Sequence, residues 1–548
     1  QERRGGTMTV LIFLWASLGA LASVSVEGNS EHRHPLMTSF DHHMNGLHDH
    51  QDGERGICLT GLVQQLRAEW DALSVEERAE VTAALAPTKA DLFEPMVTNP
   101  IPPSVASDTC WGTQKDNRVD SERFSVQWDD GVSTEANALA FLESLEESYE
   151  IEINELGWKE PRGGSGYQML VMIDNMGGGA GAYTTVEYCN GDYRAYVVAS
   201  AGSFSAGDWY KTMACHELFH AIQYAYGFGH EFWWWEASAT WVEDLIYPYA
   251  NDWANALYMF AQSPHVGMNA SAGNSRDQTL FWHTYGMGIF GMYLDQHVGG
   301  NELVKDTWWE AQGSSGQYNL WMPDIIDATG NDFDEVMAGF MATTAVMEYR
   351  DRMYITDAVR ADSVDSLPAE GAPGSSERPQ SLGMNFITFD GEMFGEGEAL
   401  EVTFEGDERA DYWIAVLTRG HFTVDEMEVF ELSGGIEGKA TISAEPGTPI
   451  HLVVSPVYEA AQGYSYDWRS ADSFDYAWTA DVVDDVGDSG SGGTGGDDDA
   501  DLPVPGDVSA GSVSGGSKVG CSCSAAQPGS LGWIALSLAA VLGVRRRR

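Results

Sequence analysis

The segment His216–His220, with the sequence His-Glu-Leu-Phe-His, constrains this 548-residue chain more than any other feature. It lies inside a run, residues 211–226, whose apolar side chains recur at helical spacing. Positions i and i+4 share one face of a helix, so both imidazoles project together. This pattern predicts a helix that presents two histidines to one Zn²⁺ ion, with Glu217 placed beside them to handle protons.

A carboxylate further along the chain is the candidate third ligand. Glu236 stands sixteen residues after His220, at the start of a second apolar helical stripe in residues 233–244. A bare His-Glu-x-x-His also occurs in unrelated proteins, and the downstream glutamate strengthens the metal interpretation. We expect His216, His220 and Glu236 to bind the metal, with His230 as the alternative to Glu236.

The flanking residues separate this motif from one large zinc-peptidase group. Metzincins carry a glycine and a third histidine where this chain has Gln223 and Tyr226. Residues 216–223 and 234–244 instead resemble the gluzincins, zinc peptidases with a downstream helical glutamate ligand, and look most like a group of myxobacterial metallopeptidases. The resemblance spans about residues 120–345 and also includes Leu156–Pro161, Tyr247–Pro248, Tyr285–Gly286, Tyr293–Leu294 and Gly299.

The resemblance implies peptide-bond hydrolysis by a metal-activated water, with Glu217 as general base. A donor to the oxyanion is also needed, and His283 and Tyr285 are the candidates, with core packing as the alternative for each. Glu243 is a candidate to orient a ligand histidine, or else faces solvent. The tryptophans 233–235 are interpreted as core packing rather than as a stacking surface.

The overall charge excludes some partners. The chain has 29 Lys and Arg against 83 Asp and Glu, a formal net charge of -54. Nucleic acid and anionic membrane surfaces are therefore excluded as partners, and a protein or peptide substrate is expected. The charge does not indicate an oligomeric state.

The two ends carry targeting patterns. Residues 1–22 have the layout of a secretory signal peptide. Residues 521–548, a cysteine pair, an apolar segment and four arginines, resemble the sorting tail of myxobacterial surface proteins and would be the membrane attachment. We therefore expect an exported protein, displayed on the outer surface of a Gram-negative bacterium or released.

Between these ends the pattern predicts an α+β protein. Residues 23–112 read as a helical N-terminal segment and candidate propeptide, and residues 113–365 as a zincin-like catalytic domain with a mixed sheet and helices. Residues 382–483 alternate as in an all-β sandwich, and residues 484–520 form a Gly/Ser/Asp-rich linker.

Four cysteines remain for the exported part of the chain. Sequence proximity favours disulfides Cys58–Cys110 and Cys189–Cys215, with free buried thiols as the alternative. Taken together, the sequence predicts an exported zinc-dependent endopeptidase. The alternatives are a zinc hydrolase acting on a non-peptide amide or ester, and a non-catalytic surface adhesin that keeps the fold.

Overall fold

The computed structural model describes most of the chain between Ile57 and Asp485. The gaps are residues 86–113, 164–167, 177–179, 190–191, 206, 228–229, 271–277, 314–319, 355–358, 360, 420–422 and 459–470, and residues 33, 34, 36, 37 and 40 are also described. All of these residues belong to one compact unit, Gln1–Gly492. The predicted signal peptide, the C-terminal tail and the predicted linker after residue 485 lie outside the described residues.

A six-stranded mixed sheet forms the centre of the N-terminal half, in the order β1-β5-β6-β4-β3-β2. Strands β3, β4 and β6 run parallel, and β5 pairs antiparallel with β6. Helices cover both faces, which is why β4 reads as a nearly continuous apolar run. The strands are β1 Ile57–Cys58, β2 Asn117–Asp120, β3 Phe124–Trp128, β4 Met169–Asp174, β5 Ala180–Cys189 and β6 Asp192–Ser200.

The helices form two groups on opposite faces of this sheet. Val171 and Ile173 face the larger helical group, whereas Leu170 and Met172 face the N-terminal helices. The helices are α1 Thr60–Ala68, α2 Val75–Leu85, α3 Glu135–Tyr149, α4 Trp209–Tyr226, α5 Phe232–Ile246, α6 Trp253–Gln262, α7 Gln278–Gly286, α8 Gly288–Tyr293, α9 Gly300–Glu310, α10 Met322–Ala328 and α11 Phe333–Val346.

The predicted helical pair of the N-terminal segment is present as α1 and α2. The predicted capping box is also present, because Glu77 N donates to Ser74 Oγ at 3.1 Å and Ser74 N donates to Glu77 Oε2 at 2.8 Å. The segment does not stand apart from the fold, however. Leu62, Val63 and Leu66 pack against the sheet, and β1 adds a strand to its edge.

A β-sandwich follows, as the sequence predicts, but its first strand begins at Ala361 rather than after residue 382. Its sheets have the orders β13-β14-β10-β16-β8 and β12-β11-β15-β9-β7. It packs on α11, where the rings of Phe333 and Trp413 lie 5.6 Å apart. The strands are β7 Ala361–Val364, β8 Ala369–Gly371, β9 Asn385–Phe389, β10 Glu398–Gly406, β11 Asp411–Arg419, β12 Val424–Val429, β13 Leu432–Ser433, β14 Glu437–Ala444, β15 Ile450–Val457 and β16 Tyr476–Asp484.

The mixture of sheets and helices confirms the α+β class. Among the helices that the structure describes, none has the length and apolar character needed to cross a bilayer.

Candidate metal centre

Two buried helices bring the predicted ligands together. Helix α4 carries His216 and His220 on one face, and α5 packs beside it with Glu236 in its second turn. Four tryptophans anchor α5, since Trp233, Trp234, Trp235 and Trp241 are each at most 1% exposed. Their burial fits the packing interpretation of this tryptophan cluster and fixes the helix on which the carboxylate stands.

The ligand atoms converge as a metal would require. Glu236 Oε2 lies 3.3 Å from His216 Nε2 and 3.5 Å from His220 Nε2. The thiol of Cys58 is a fourth member, with its Sγ 3.3 Å from His220 Nε2, and the four donor atoms lie within 4.8 Å of one another. A tetrahedral zinc ion bound at about 2.0–2.3 Å places its ligand atoms about 3.3–3.8 Å apart. The donor set therefore fits a zinc ion.

The charges of this cluster are arranged for a cation. Burial opposes ionisation of both His216 and Glu236, but the hydrogen bonds and opposite charges around each group together outweigh it. The contacts of His216 with Glu236 and Glu243 raise its pKa to about 10, and the two histidines hold the pKa of Glu236 well below its usual range. The carboxylate of Glu236 therefore stays anionic and needs a positively charged partner. A metal ion would be that partner when both histidines are neutral.

Two further side chains orient the histidines by contacting their Nδ1 atoms. Glu243 Oε1 lies 2.7 Å from His216 Nδ1, so the predicted contact is present. Gln223 Oε1 lies 2.7 Å from His220 Nδ1, while Gln223 Nε2 donates to Trp235 O at 2.9 Å and to Ser238 Oγ at 3.1 Å. Such contacts leave Nε2 of each ring free for the metal.

Glu217 lies beside the ligands and is fully buried. Its Oε2 accepts a hydrogen bond from Thr184 Oγ1 at 2.6 Å and from Thr60 Oγ1 at 3.4 Å. Its Oε1 has no hydrogen-bond partner among the described residues, although it is buried. A buried carboxylate oxygen with no partner is costly, and a bound water would satisfy it.

Tyr285 is brought into the site. Its ring stacks on His216 at 6.0 Å, and its hydroxyl donates to Cys58 O at 2.6 Å. Burial, followed by the charges of Glu236 and Cys58, raises the pKa of the phenol well above its usual range, so it remains a proton donor.

The other two histidine candidates lie elsewhere. His283 is not among the residues that line the cavity at the metal cluster, and it packs near Phe260 with both ring nitrogens unpartnered within the described part of the chain. The alternative ligand His230 places Nε2 3.0 Å from Thr307 O and its ring on Trp308. The metal cluster therefore contains Glu236 rather than His230, and His283 is not placed to donate to an oxyanion there.

The predicted disulfides are wrong. Cys58 and Cys215 are free thiols, so neither Cys58–Cys110 nor Cys189–Cys215 forms; Cys110 itself lies outside the described residues. Sequence proximity gave no sign that the first cysteine would meet the metal cluster, because that approach depends on β1 pairing with β5.

Several site residues were missed from the sequence. They are Cys58, Thr60, Gly61, Thr184 and Gln223. The only local signal among them was Gln223, which follows His220 by three residues and so lies on its helical face. The others reach the site through tertiary contacts.

Comparison with known proteins places the chain in a family without assigning an activity. A family model described as a family of unknown function (DUF6055) matches residues 90–420, more than half of the chain. Among solved structures, the chain is similar to the pre-peptidase C-terminal domain of collagenase from Bacillus anthracis, with 12% identity, a TM-score of 0.14, and coverage of 23% of this chain and 95% of that one. No curated protein matches. The chain therefore belongs to DUF6055, a family of unknown function.

Proposed function

We propose that this protein is a zinc-dependent endopeptidase. The observation that carries the proposal is the convergence of His216, His220 and Glu236 beside a buried carboxylate, Glu217, with one unpartnered oxygen. A purely structural metal site needs ligands but no such neighbour. Intact base and ligands together favour hydrolysis over a binding role.

Each residue has a chemical task in this proposal. When bound, zinc would polarise the scissile carbonyl and acidify water. Glu217 accepts a proton from the attacking water and passes it to the leaving amine. Tyr285 donates a hydrogen bond to the carbonyl oxygen as negative charge develops on it.

A main-chain contact favours peptides over small esters. Strand β5 borders the metal cluster, and its backbone pairs with the extended segment Ile57–Cys58, with Leu59 N donating to Ala182 O at 2.9 Å. Tyr285 contacts a peptide carbonyl of that same segment. The site thus holds an extended main chain next to the catalytic groups, the binding mode of strand addition to a sheet edge.

We also propose that the protein is exported and displayed on the cell surface. This part of the proposal rests only on the sequence patterns at the two ends. An acidic, exported peptidase would act on protein or peptide substrates outside the cell.

The test is hydrolysis of casein by the purified protein, measured with and without a metal chelator. Because a segment of the chain lies over the site, the assay uses the intact chain and a chain cut at a protease site engineered within residues 86–113. Glu217→Gln should retain zinc and lose hydrolysis, whereas Glu143→Gln on the exposed face of α3 should change neither. Zinc-loaded protein that cleaves no protein or peptide in either form would overturn the proposal.

A further inference from the structure

We propose that residues 57–68 are a built-in inhibitor whose Cys58 thiolate completes the metal coordination and keeps the enzyme latent. This inference rests on the proposed function, because it concerns the regulation of the same site. It assigns a task to a cysteine that the hydrolytic mechanism does not use.

The thiol is held at the metal cluster from outside the two ligand helices. Cys58 Sγ lies 3.3 Å from His220 Nε2, within the donor spacing of a tetrahedral site. A catalytic zinc site has three protein ligands and keeps its fourth position for water. With Cys58 in that position, the site has the closed ligand set of a structural zinc.

The same segment also contacts the other catalytic groups. Gly61 N donates to Glu236 Oε1 at 2.6 Å, and Thr60 Oγ1 donates to Glu217 Oε2 at 3.4 Å. The hydroxyl of Tyr285 is engaged by Cys58 O. The segment 57–68 thus contacts the proposed base, a metal ligand and the proposed oxyanion donor. A substrate would have to replace this segment.

The contact at Gly61 is close enough to require glycine. A Cβ built at this position would lie 2.7 Å from Glu236 Oε1, a distance that real side chains do not tolerate. The backbone of α1 therefore approaches the metal ligand directly, which indicates a fitted contact between segment and site.

The remaining space is too small for a substrate. The cavity beside the cluster measures about 60 Å³ and is lined in part by Cys58, Glu217 and Tyr285. This is room for a few water molecules and far below the 300 Å³ or more of an ordinary ligand pocket. A peptide can enter only when the segment leaves.

Release of the segment provides what catalysis needs. Without β1, strand β5 becomes the edge of the sheet, and its backbone groups are open to an extended peptide. Hydrolysis of one peptide bond within residues 86–113, consuming one water, would break the covalent link between the segment and the rest of the chain and allow the segment to dissociate. With the segment gone, water would take the fourth position at a bound metal ion and the thiolate of Cys58 would take up a proton; no oxidant is involved.

The direct test uses the full chain loaded with Co²⁺ in place of zinc. A thiolate bound to Co²⁺ gives a near-ultraviolet charge-transfer band, which imidazole and carboxylate ligands do not give. The band should be present in the wild type, lost in Cys58→Ser with Co²⁺ still bound, and retained in Cys215→Ser, the matched buried free thiol. A band that is absent from the wild type or unchanged in Cys58→Ser would overturn the proposal.

A measurement on the wild type protects the test against a misfolded variant. Alkylation of Cys58, located by mass spectrometry, should be slower in the zinc-loaded chain than in the chelated chain. Equal rates would overturn the assignment of the thiol as a ligand.

The latency itself is tested with the chain cut within residues 86–113. Hydrolysis should rise from background once the segment has been separated, and the cobalt band should disappear. Equal hydrolysis before and after separation would overturn the inhibitory role. If the band disappears but neither form hydrolyses peptides, the ligand exchange stands and the proposed peptidase function is what fails.

Discussion

The hydroxyl of Tyr285 donates to a peptide carbonyl, that of Cys58, at 2.6 Å. We propose that the phenol donates to a substrate carbonyl at the same place. The raised pKa of Tyr285 keeps the proton on the phenol oxygen at neutral pH.

Tyr285→Phe should therefore lower kcat by about 10²–10³-fold, the usual cost of removing one oxyanion donor, and leave the metal content unchanged. The measurement is steady-state peptide hydrolysis by the chain freed of its N-terminal segment. Tyr247→Phe is the control, because it removes a buried hydroxyl that contacts Glu147, away from the metal. Equal kcat for the wild type and Tyr285→Phe would exclude Tyr285 as the oxyanion donor.

At the scale of elements, α1 and the residue that precedes it are held mainly by apolar side chains. Leu59, Val63 and Leu66 are all fully buried against β4, β5 and β6. Truncating a buried leucine costs about 2–5 kcal/mol, and here the cost falls on the contact between segment and sheet.

Leu66→Ala should therefore raise the rate of Cys58 alkylation in chelated protein by about a hundredfold, provided that the segment opens locally. A loss of about 2.8 kcal/mol gives this factor, because each 1.4 kcal/mol changes the opening equilibrium about tenfold. Leu400→Ala is the control, because it removes the same groups from a fully buried position in the β-sandwich. If both variants accelerate alkylation equally, the thiol is exposed by global unfolding and the segment has no opening motion of its own.

Each element that the sequence predicted correctly has a strong local pattern of its own. The ligand helix around His216, the helix of Glu236 and the sandwich strands each follow their period closely, and all are present. Strand β5 was missed because glycines 177, 178, 179 and 181 mask its start and its alternation is interrupted by small residues. The placement of β1 could not be predicted, since two residues carry no period.

At the scale of the whole molecule, buried neutral histidines couple stability to pH. Burial lowers the pKa of His230 and of His283 to about 3, and that of His451 in the β-sandwich to about 4. An unfolded histidine titrates near pH 6.5. Above pH 6.5 these histidines are neutral in both the folded and the unfolded state. Below pH 6.5 the unfolded state binds protons that the folded state does not bind. The free energy of unfolding therefore falls as the pH falls from about 6.5 towards the folded-state pKa values.

His283 alone should account for about 2 kcal/mol of this loss between pH 7.5 and pH 5. His283→Leu should reduce the pH dependence by that amount, because both ring nitrogens are buried and unpartnered among the described residues. Urea unfolding of wild type and variant at the two pH values measures it. The same pH dependence in both proteins would show that His283 takes up a proton as readily in the folded state as in the unfolded state, and would contradict the prediction.

The whole account depends on a metal ion at the junction of α4 and α5. The most direct measurement is the zinc content of the purified chain, compared with that of the double variant His216→Ala/His220→Ala, with circular dichroism to verify that both are folded. We predict one tightly bound zinc ion per wild-type chain and none in the variant. A folded wild-type chain that binds no zinc, or a variant that retains as much as the wild type, would contradict the account.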